Sequence, residues 1–89
     1  MSYKVLLHPK AAQFLEKVDA SLKERTKKQL RELESSPDEK GERLKYSSFW
    51  RLRIDDYRAI YEIDRRRKRV VILLIGHRKR IYDDFSKLL

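Results

Sequence analysis

Apolar and polar side chains alternate along residues 49–55 and again along residues 57–63. In a β-strand, a period of two places the apolar side chains on one face and Arg51 and Arg53 on the other. Only a polar Asp-Asp pair separates the two runs, which predicts a tight turn and a β-hairpin. The hairpin would return Arg58 to the side of the first two arginines. Three guanidinium groups on one sheet face predict a site for an anion such as phosphate.

The N-terminal part of the chain has helical periodicity. An apolar run over residues 3–7 predicts a first strand, and the His-Pro pair after it places a proline in the first turn of a helix over residues 9–18. Ser21 and Glu24 have the spacing of a capping box for a second helix, which runs to about residue 35. Apolar residues form one stripe on each helix, so we expect a helical hairpin.

The second half of the chain predicts mainly strands. Residues 35–41 are rich in Ser, Pro and Gly and predict a loop. Residues 44–46 already have a composition typical of a β-strand. Residues 70–75 are continuously apolar and β-branched, as in a central strand buried on both faces. The arginine-rich residues 64–69 predict the hairpin tip before that strand, and residues 83–89 predict a short terminal turn of helix.

The order β-α-α-β-β-β predicts an α+β fold, with a two-helix hairpin packed on one face of a mostly antiparallel four-stranded sheet. Eighty-nine residues make a single domain, residues 1–89, with one modest core. The absence of cysteine excludes disulfides, thiolate metal sites and cysteine nucleophiles. No apolar run approaches the roughly 20 residues that span a bilayer, and the N-terminus lacks the apolar core of a signal peptide. We therefore expect a cytoplasmic protein without membrane contact.

The net charge of +9 is concentrated in one part of the chain. Residues 43–82 carry thirteen Lys/Arg against four Asp/Glu, so the whole excess lies on the predicted sheet. Charge placed in this way favours a polyanionic partner. A solvated basic surface without a partner is the alternative.

Four features of the sequence together carry a family resemblance. They are a strand ending in His-Pro, a helical hairpin, the run Trp-Arg-Leu-Arg-Ile-Asp-Asp-Tyr-Arg-Ala-Ile-Tyr-Glu-Ile, and the ending Ile-Gly-His-Arg-Lys-Arg-Ile-Tyr. Over nearly its whole length the chain resembles the RelE toxins of the RelE/ParE superfamily. The resemblance implies a type II toxin that cleaves messenger RNA on the ribosome, without a cofactor or metal, and that a RelB-like antitoxin inhibits.

The resemblance also implies site residues at the positions that match the family's motifs. The family's paired basic residues, its central arginine, the arginine after the last strand and the near-terminal tyrosine fall on Arg51, Arg53, Arg58, Arg78 and Tyr82. The best-known RelE has lysines at the first two of these positions. Arginine essentially never gives up its proton in a protein, so the identity of the general base stays open.

RNA cleavage without a metal requires an acid, a base and cations around the phosphorane. The arginines are suited to stabilising the negative charge on the phosphorane, the five-coordinate phosphorus species of the reaction. His77 is our hypothesis for the acid or base, because imidazole titrates near neutral pH; a packing or capping role at a strand end is the alternative. Tyr82 would stack on a base or hydrogen-bond a phosphate, and its alternative is a partly buried aromatic of the terminal segment.

Other residues receive weaker or structural interpretations. We predict additional RNA contacts at Lys45, Arg65, Arg66, Arg67, Lys79 and Arg80. A merely solvated hairpin is the alternative for the three arginines of the tip. His8 precedes a proline at a helix start and is interpreted as a capping or packing residue. Two distant histidines without cysteine predict no zinc site, and two isolated glycines give no phosphate-binding loop.

Two alternatives to the ribonuclease interpretation remain. A ParE-like relative would bind DNA gyrase and perform no RNA chemistry. A degenerate homologue would bind its antitoxin without cutting. The basic cluster together with the Gly-His-Arg…Tyr ending favours the ribonuclease.

Overall fold

The computed structural model describes residues 2–88 and contains five strands and four helices in that range. In chain order these are β1 (Lys4–Leu7), α1 (Pro9–Lys17), α2 (Ala20–Glu32), α3 (Pro37–Lys40), β2 (Glu42–Arg43), β3 (Phe49–Ile54), β4 (Tyr57–Asp64), β5 (Arg69–His77) and α4 (Ile81–Ser86). The sheet order is β1-β5-β4-β3-β2, with β1 parallel to β5 and the other neighbours antiparallel. The predicted α+β class is confirmed, with five strands instead of four. None of these helices has the length and apolar character to cross a membrane.

The helical hairpin of α1 and α2 covers one face of the sheet, as predicted. The buried core between them consists of Ala11, Leu15, Leu22, Leu30, Leu33, Leu52, Ile54, Ala59, Tyr61, Val70, Ile72 and Ile75. Burying each Val, Leu or Ile side chain contributes about 1.5–3 kcal/mol. This burial fixes the orientation of β3, and the period of two then turns Arg51 and Arg53 to the opposite face.

A smaller apolar cluster lies on that opposite face, under α4. It consists of Ile60, Ile81 and Phe85, with Leu44, Phe49, Leu73 and Leu74 packed around them. The central strand β5 therefore contacts apolar side chains on both faces, as predicted. The terminal helix begins at Ile81, two residues before the predicted start. The predicted helix residue Leu89 lies outside the described residues.

The helix starts differ from the sequence prediction in one case. The N-cap of α2 is Asp19, whose Oδ1 accepts a 2.8 Å hydrogen bond from the backbone N–H of Leu22. The predicted capping box at Ser21 was wrong, because Asp19 takes the extended cap conformation and Ser21 lies inside the helix. At the start of α1, His8 Nδ1 accepts a 3.2 Å hydrogen bond from the N–H of Lys10, so the capping interpretation of His8 is confirmed.

The connection from the helices to the sheet is more ordered than a loop. Residues 35–41, predicted as a loop, contain the one-turn helix α3, with Pro37 in its first turn. The Tyr61 hydroxyl donates a 2.6 Å hydrogen bond to the carbonyl oxygen of Pro37 and ties this helix to the sheet. Residues 44–46 form a turn after β2, in which Tyr46 has a φ of 59° and is fully exposed. The β-strand character predicted for residues 44–46 was wrong.

Candidate active site

A cavity of about 450 Å³ opens on the sheet face opposite the α1–α2 hairpin. Its lining residues are Arg51, Arg53, Arg58, Arg78, Lys79 and Tyr82. Five of the six are cations. The cluster gathers residues from β3, from β4, from the segment after β5 and from α4.

Strand pairing brings the arginines together. Arg53 of β3 lies opposite Arg58 of β4, and Arg51 is two residues away on the same face of β3. The backbone N–H of Arg78 donates a 2.8 Å hydrogen bond to the carbonyl oxygen of Asp56, which holds the segment after β5 against the β3–β4 turn. The fourth arginine therefore reaches the same cavity from a distant part of the sequence.

Arg58 is the most buried of the cavity arginines, with 8% of its surface exposed. Its Nη1 donates to the backbone oxygens of Asp55 and Tyr57, at 3.0 Å and 2.8 Å. Within residues 2–88 it forms no salt bridge. A buried charge without a carboxylate is costly unless another group compensates it. Its guanidinium is therefore fixed in place and available to an external anion.

Arg51 is held at two of its three nitrogens. Its Nη2 donates a 2.9 Å hydrogen bond to Glu42 Oε2, and its Nη1 donates a 2.7 Å hydrogen bond to the hydroxyl oxygen of Tyr82. Its Nε is buried and has no hydrogen-bond partner among the described residues. The position of this guanidinium thus depends on both a strand residue and a helix residue.

The Glu42–Arg51 contact changes the titration of both groups. Hydrogen bonding and the charge of Arg51 lower the pKa of Glu42, and the charges of Arg53 and Arg58 lower it further. The pKa of Arg51 is raised, chiefly by the Glu42 hydrogen bond and then by Tyr82. The carboxylate remains ionised at neutral pH and compensates only part of the cavity's positive charge.

His77 does not belong to this cluster. Gly76 of β5 pairs with Arg58, so Gly76 occupies the cavity face of its strand. His77 pairs with Tyr57, and their rings meet edge to face at 5.4 Å. Tyr57 in turn packs against Phe14 of α1 at 5.4 Å. The imidazole therefore lies on the helix side of the sheet, and this register corrects the sequence-based grouping of His77 with the arginines.

The imidazole instead has a local structural role. His77 Nδ1 accepts a 3.2 Å hydrogen bond from the backbone N–H of Lys79, just after the end of β5. This is the packing and capping alternative considered for His77. The β-bulge between Ile60 and Tyr61 shifts the β4–β5 register by one residue, and counting from the hairpin tip along the sequence would not reveal that shift.

The additional basic residues are divided among three regions, which are the cavity, the β2–β3 turn and the tip of the β4–β5 hairpin. Lys79 lines the cavity, and Arg80 is exposed beside it at the N-cap of α4. Lys45 is exposed in the β2–β3 turn.

The tip arginines of the β4–β5 hairpin lie far from the cavity. Their strand ends six residues beyond Arg58, about 20 Å along β4. Arg65 pairs with Asp38 at 3.5 Å, and Arg67 pairs with Asp64 at 3.7 Å.

Glu42 is the cavity neighbour that sequence reasoning missed. It reaches Arg51 because the two-residue strand β2 pairs with β3, with Glu42 opposite Arg51. A strand this short leaves no period in the sequence. Within residues 2–88, no three His, Asp or Glu side chains are grouped so that they could hold a metal ion.

The arrangement is suited to binding a phosphate and stabilising added negative charge on it. Guanidinium forks bind phosphate oxygens in a fixed geometry, and preorganised cations stabilise charge that develops during a reaction. Tyr82 lies at the cavity rim, where its hydroxyl contacts Arg51 while 39% of the residue's surface remains exposed to solvent.

Comparison with known proteins identifies the family. A family model described as the ParE toxin of type II toxin–antitoxin systems, parDE, matches residues 5–82. The chain is similar to the RelBE2 toxin–antitoxin complex from Mycobacterium tuberculosis, with 25% identity, 86% of this chain and 99% of that chain covered, and a TM-score of 0.78. It is also similar to the archaeal RelE–RelB complex from Pyrococcus horikoshii OT3, with 25% identity, coverage of 90% and 99%, and a TM-score of 0.77.

The isolated E. coli RelE toxin shares the fold, with 19% identity over 99% of this chain and 100% of that chain and a TM-score of 0.77. No curated protein sequence matches the chain. The extent of the family match, from β1 to the first turn of α4, covers every element that builds the arginine cavity. This chain therefore belongs to the ParE toxin family, within the RelE/ParE superfamily of type II toxin–antitoxin toxins.

Proposed function

We propose that this toxin is a ribosome-dependent endoribonuclease that stops translation by cutting messenger RNA. The observation that supports the proposal is the convergence of Arg51, Arg53, Arg58 and Arg78 on one open cavity. In the proposed reaction the ribose 2′-hydroxyl gives up its proton as its oxygen attacks the adjacent phosphorus, and the bond from phosphorus to the 5′-oxygen breaks as that oxygen takes up a proton. The products are a 2′,3′-cyclic phosphate and a free 5′-hydroxyl.

The arginines would act on the charge of the reacting phosphate. The phosphorane carries more negative charge than the bound RNA, so contacts to guanidinium groups strengthen as the reaction proceeds. Arg58 is fixed by two backbone carbonyls, and Arg51 by Glu42 and Tyr82, so neither must reorganise at that moment. Proton transfer lies outside the capacity of these side chains, because arginine keeps its proton.

Alignment of the RNA would come from the ribosome. The cavity is open and the domain is small, so the protein alone restrains a flexible RNA strand poorly. Holding the 2′-oxygen in line with the bond that breaks can supply several kcal/mol of the barrier. We therefore expect free RNA to be a poor substrate. Lys79 and Arg80 would contact the message near the cut, and Lys45 and the tip arginines would contact ribosomal RNA.

A RelB-like antitoxin is the proposed protein partner. Two of the similar structures are RelE-type toxins in complex with their antitoxins. An apolar groove beside β1 offers a suitable surface: its apolar residues are Val5, Leu7, Leu15 and Leu30, and its rim carries Lys4, Lys27, Arg31 and Glu34. An acidic amphipathic segment would bury the apolar residues and neutralise the cationic rim.

Mapping of cleavage on translating ribosomes tests the proposal. In a purified translation system, primer extension should detect cuts within codons for the wild type and for Arg31→Ala, whose arginine lies on α2 away from the cavity. Arg58→Ala should cut at least about a hundredfold more slowly, as when a preorganised transition-state contact is removed. Arg78→Ala should also be impaired. Intact messages with the wild type, or unimpaired cutting by Arg58→Ala, would contradict it.

Inhibition of DNA gyrase is a second candidate function, favoured by the ParE name of the matching family model. Inducing the toxin in cells separates the two functions. Cut messages with arrested translation support the ribonuclease, and accumulating DNA breaks support the gyrase inhibitor. A toxin that produces neither effect but binds an antitoxin would be a degenerate homologue.

A further inference from the structure

A second, smaller cavity of about 200 Å³ adjoins the arginine cavity. Its lining residues are Arg25, Lys28, Gln29, Arg53, Ile54 and Asp55. Arg53 lines both cavities, so this residue lies at the boundary between them. The cationic surface therefore continues from the sheet to helix α2.

The short length of β2 makes this continuity possible. Strand β2 pairs only with Trp50 and Arg51, so residues 52–54 of β3 have no outer neighbour in the sheet. At this open edge no strand separates the cavity on one face from α2 on the other. Arg53 can consequently contact a ligand that passes from one side of the edge to the other.

One cation of the second cavity is held by an ion pair, and the other two form no salt bridge among the described residues. Arg25 Nε contacts Asp55 Oδ2 at 2.7 Å, and its Nη1 donates a 2.6 Å hydrogen bond to Ser21 Oγ. This ion pair orients a guanidinium whose side chain remains 52% exposed. Lys28, three residues along the same side of the helix, and Arg53 form no salt bridge within residues 2–88. Three cations against one carboxylate leave the cavity positive.

We propose that the second cavity binds the RNA phosphate that neighbours the one cut in the arginine cavity. The proposal rests on the proposed function, because it requires RNA in the first cavity. Phosphates repeat regularly along an RNA strand, so a strand that leaves the first cavity past Arg53 brings its next phosphate to Arg25 and Lys28. The side-chain amide of Gln29 lies in the same cavity and can hydrogen-bond to the ribose or the base.

The test compares RNA oligonucleotides that contain one phosphate and three phosphates. A dinucleotide and a tetranucleotide, both 2′-O-methylated and without terminal phosphates, are titrated into the isotope-labelled toxin and followed by amide NMR shifts at several salt concentrations. The variant Arg25→Ala/Lys28→Ala removes the proposed subsite. The control Lys27→Ala/Arg31→Ala removes the same charge from the same helix, but at the groove beside β1.

The proposal predicts an effect confined to the longer RNA. Arg25→Ala/Lys28→Ala should bind the tetranucleotide roughly tenfold more weakly, and the slope of log K against log salt should become shallower by about 0.7, since the variant loses its contact with one phosphate and each phosphate contact in single strands contributes about 0.7. Its dinucleotide binding should not change. Arg25→Lys/Lys28→Arg, which keeps both charges, should restore most of the tetranucleotide affinity.

Three outcomes would overturn the proposal. Equal weakening by the subsite variant and the control would show a general charge effect. Wild-type binding of the tetranucleotide no tighter than that of the dinucleotide would remove the second subsite and leave the proposed function intact. Failure of the wild type to bind either RNA, with no shift of the Arg51, Arg53 or Arg58 amides, would reject RNA binding in the first cavity and the subsite with it.

Discussion

Gly76 of β5 lies directly opposite Arg58 of β4, on the face that carries the arginine cavity. A Cβ at Gly76 would lie 3.1 Å from the Cδ1 atom of Ile81, so the glycine lets the start of α4 pack closely against the strand. The next residue of that helix is Tyr82, whose hydroxyl accepts the hydrogen bond from Arg51. The pairing of Gly76 with Arg58 thus places the start of α4 beside the cavity. It also places the next residue of β5, His77, on the other face of the sheet.

His77→Ala should leave RNA cleavage nearly unchanged, because the imidazole lies on the helix side of the sheet. We expect a rate within about threefold of the wild type, where removal of a general acid or base costs roughly 10² to 10⁴. The measurement is a pH–rate profile on ribosome-bound message, with Arg78→Ala as the impaired reference. A large rate loss with a shifted pH profile in a folded variant would show that His77 takes part in the reaction and would contradict the prediction.

Tyr82→Phe should reduce cleavage by roughly tenfold, the effect of about 1.4 kcal/mol, because Arg51 loses the acceptor that holds its Nη1. Tyr82→Ala should reduce it further, since the ring that can stack on a base is also removed. Single-turnover cleavage on the ribosome measures both variants. If Tyr82→Phe cuts like the wild type and Tyr82→Ala does not, the ring acts by stacking alone.

Glu42→Gln should remove an acid-sensitive part of the stability. Arg51 lowers the pKa of Glu42 below its ordinary value of 4.5, so this contribution is present above pH 4.5 and is lost as the pH falls through the lower, folded-state pKa. Between pH 7 and pH 3 the wild type should therefore lose more unfolding free energy than Glu42→Gln. Urea unfolding at the two pH values measures the difference, with the exposed Glu39→Gln as a control. An equal loss in the wild type and Glu42→Gln would contradict the prediction.

Gly41→Ala should destabilise the fold by about 1–3 kcal/mol through overpacking. The added Cβ would collide with the Tyr61 hydroxyl oxygen and would lie 2.6 Å from the backbone oxygen of Arg51, neither of which can move without disturbing the sheet. Gly76→Ala is the matched control, because the nearest atom to its Cβ would be the side-chain Cδ1 of Ile81 at 3.1 Å, a smaller overlap that involves no backbone atom. Urea unfolding should rank Gly41→Ala as the less stable variant, and a reversed order would refute the prediction.

Tyr61→Phe should lower the unfolding free energy by about 1 kcal/mol at neutral pH, because the carbonyl of Pro37 loses its donor. Burial, with a smaller contribution from Asp38, raises the pKa of Tyr61 above its ordinary value of 10.0. Above that pH the unfolded chain ionises first, so the wild type should lose stability as the pH rises while the phenylalanine variant loses less. A difference between the two proteins that stays constant up to pH 11 would contradict this account.

The predictable elements were those with a repeating pattern. The alternation in residues 49–63 specifies a hairpin because a slip of one residue in register would turn the buried Leu52 and Ile54 away from Ala59 and Tyr61, with which they share the core face. The elements that were missed are too short to have a period. Strand β2 has two residues and α3 has four, and both depend on partners elsewhere, such as the Tyr61 hydroxyl on Pro37.

The α+β class, the family and the face of the hairpin on which Arg51, Arg53 and Arg58 lie could all be predicted without a structure. These follow from local periodicity and from contiguous motifs. Three other relationships became visible only in the folded molecule: Glu42 contacts Arg51, His77 lies across the sheet from the cavity, and Arg25 and Lys28 line a cavity with Arg53. Those relationships depend on strand register and on helix packing, which are fixed by contacts between residues far apart along the chain.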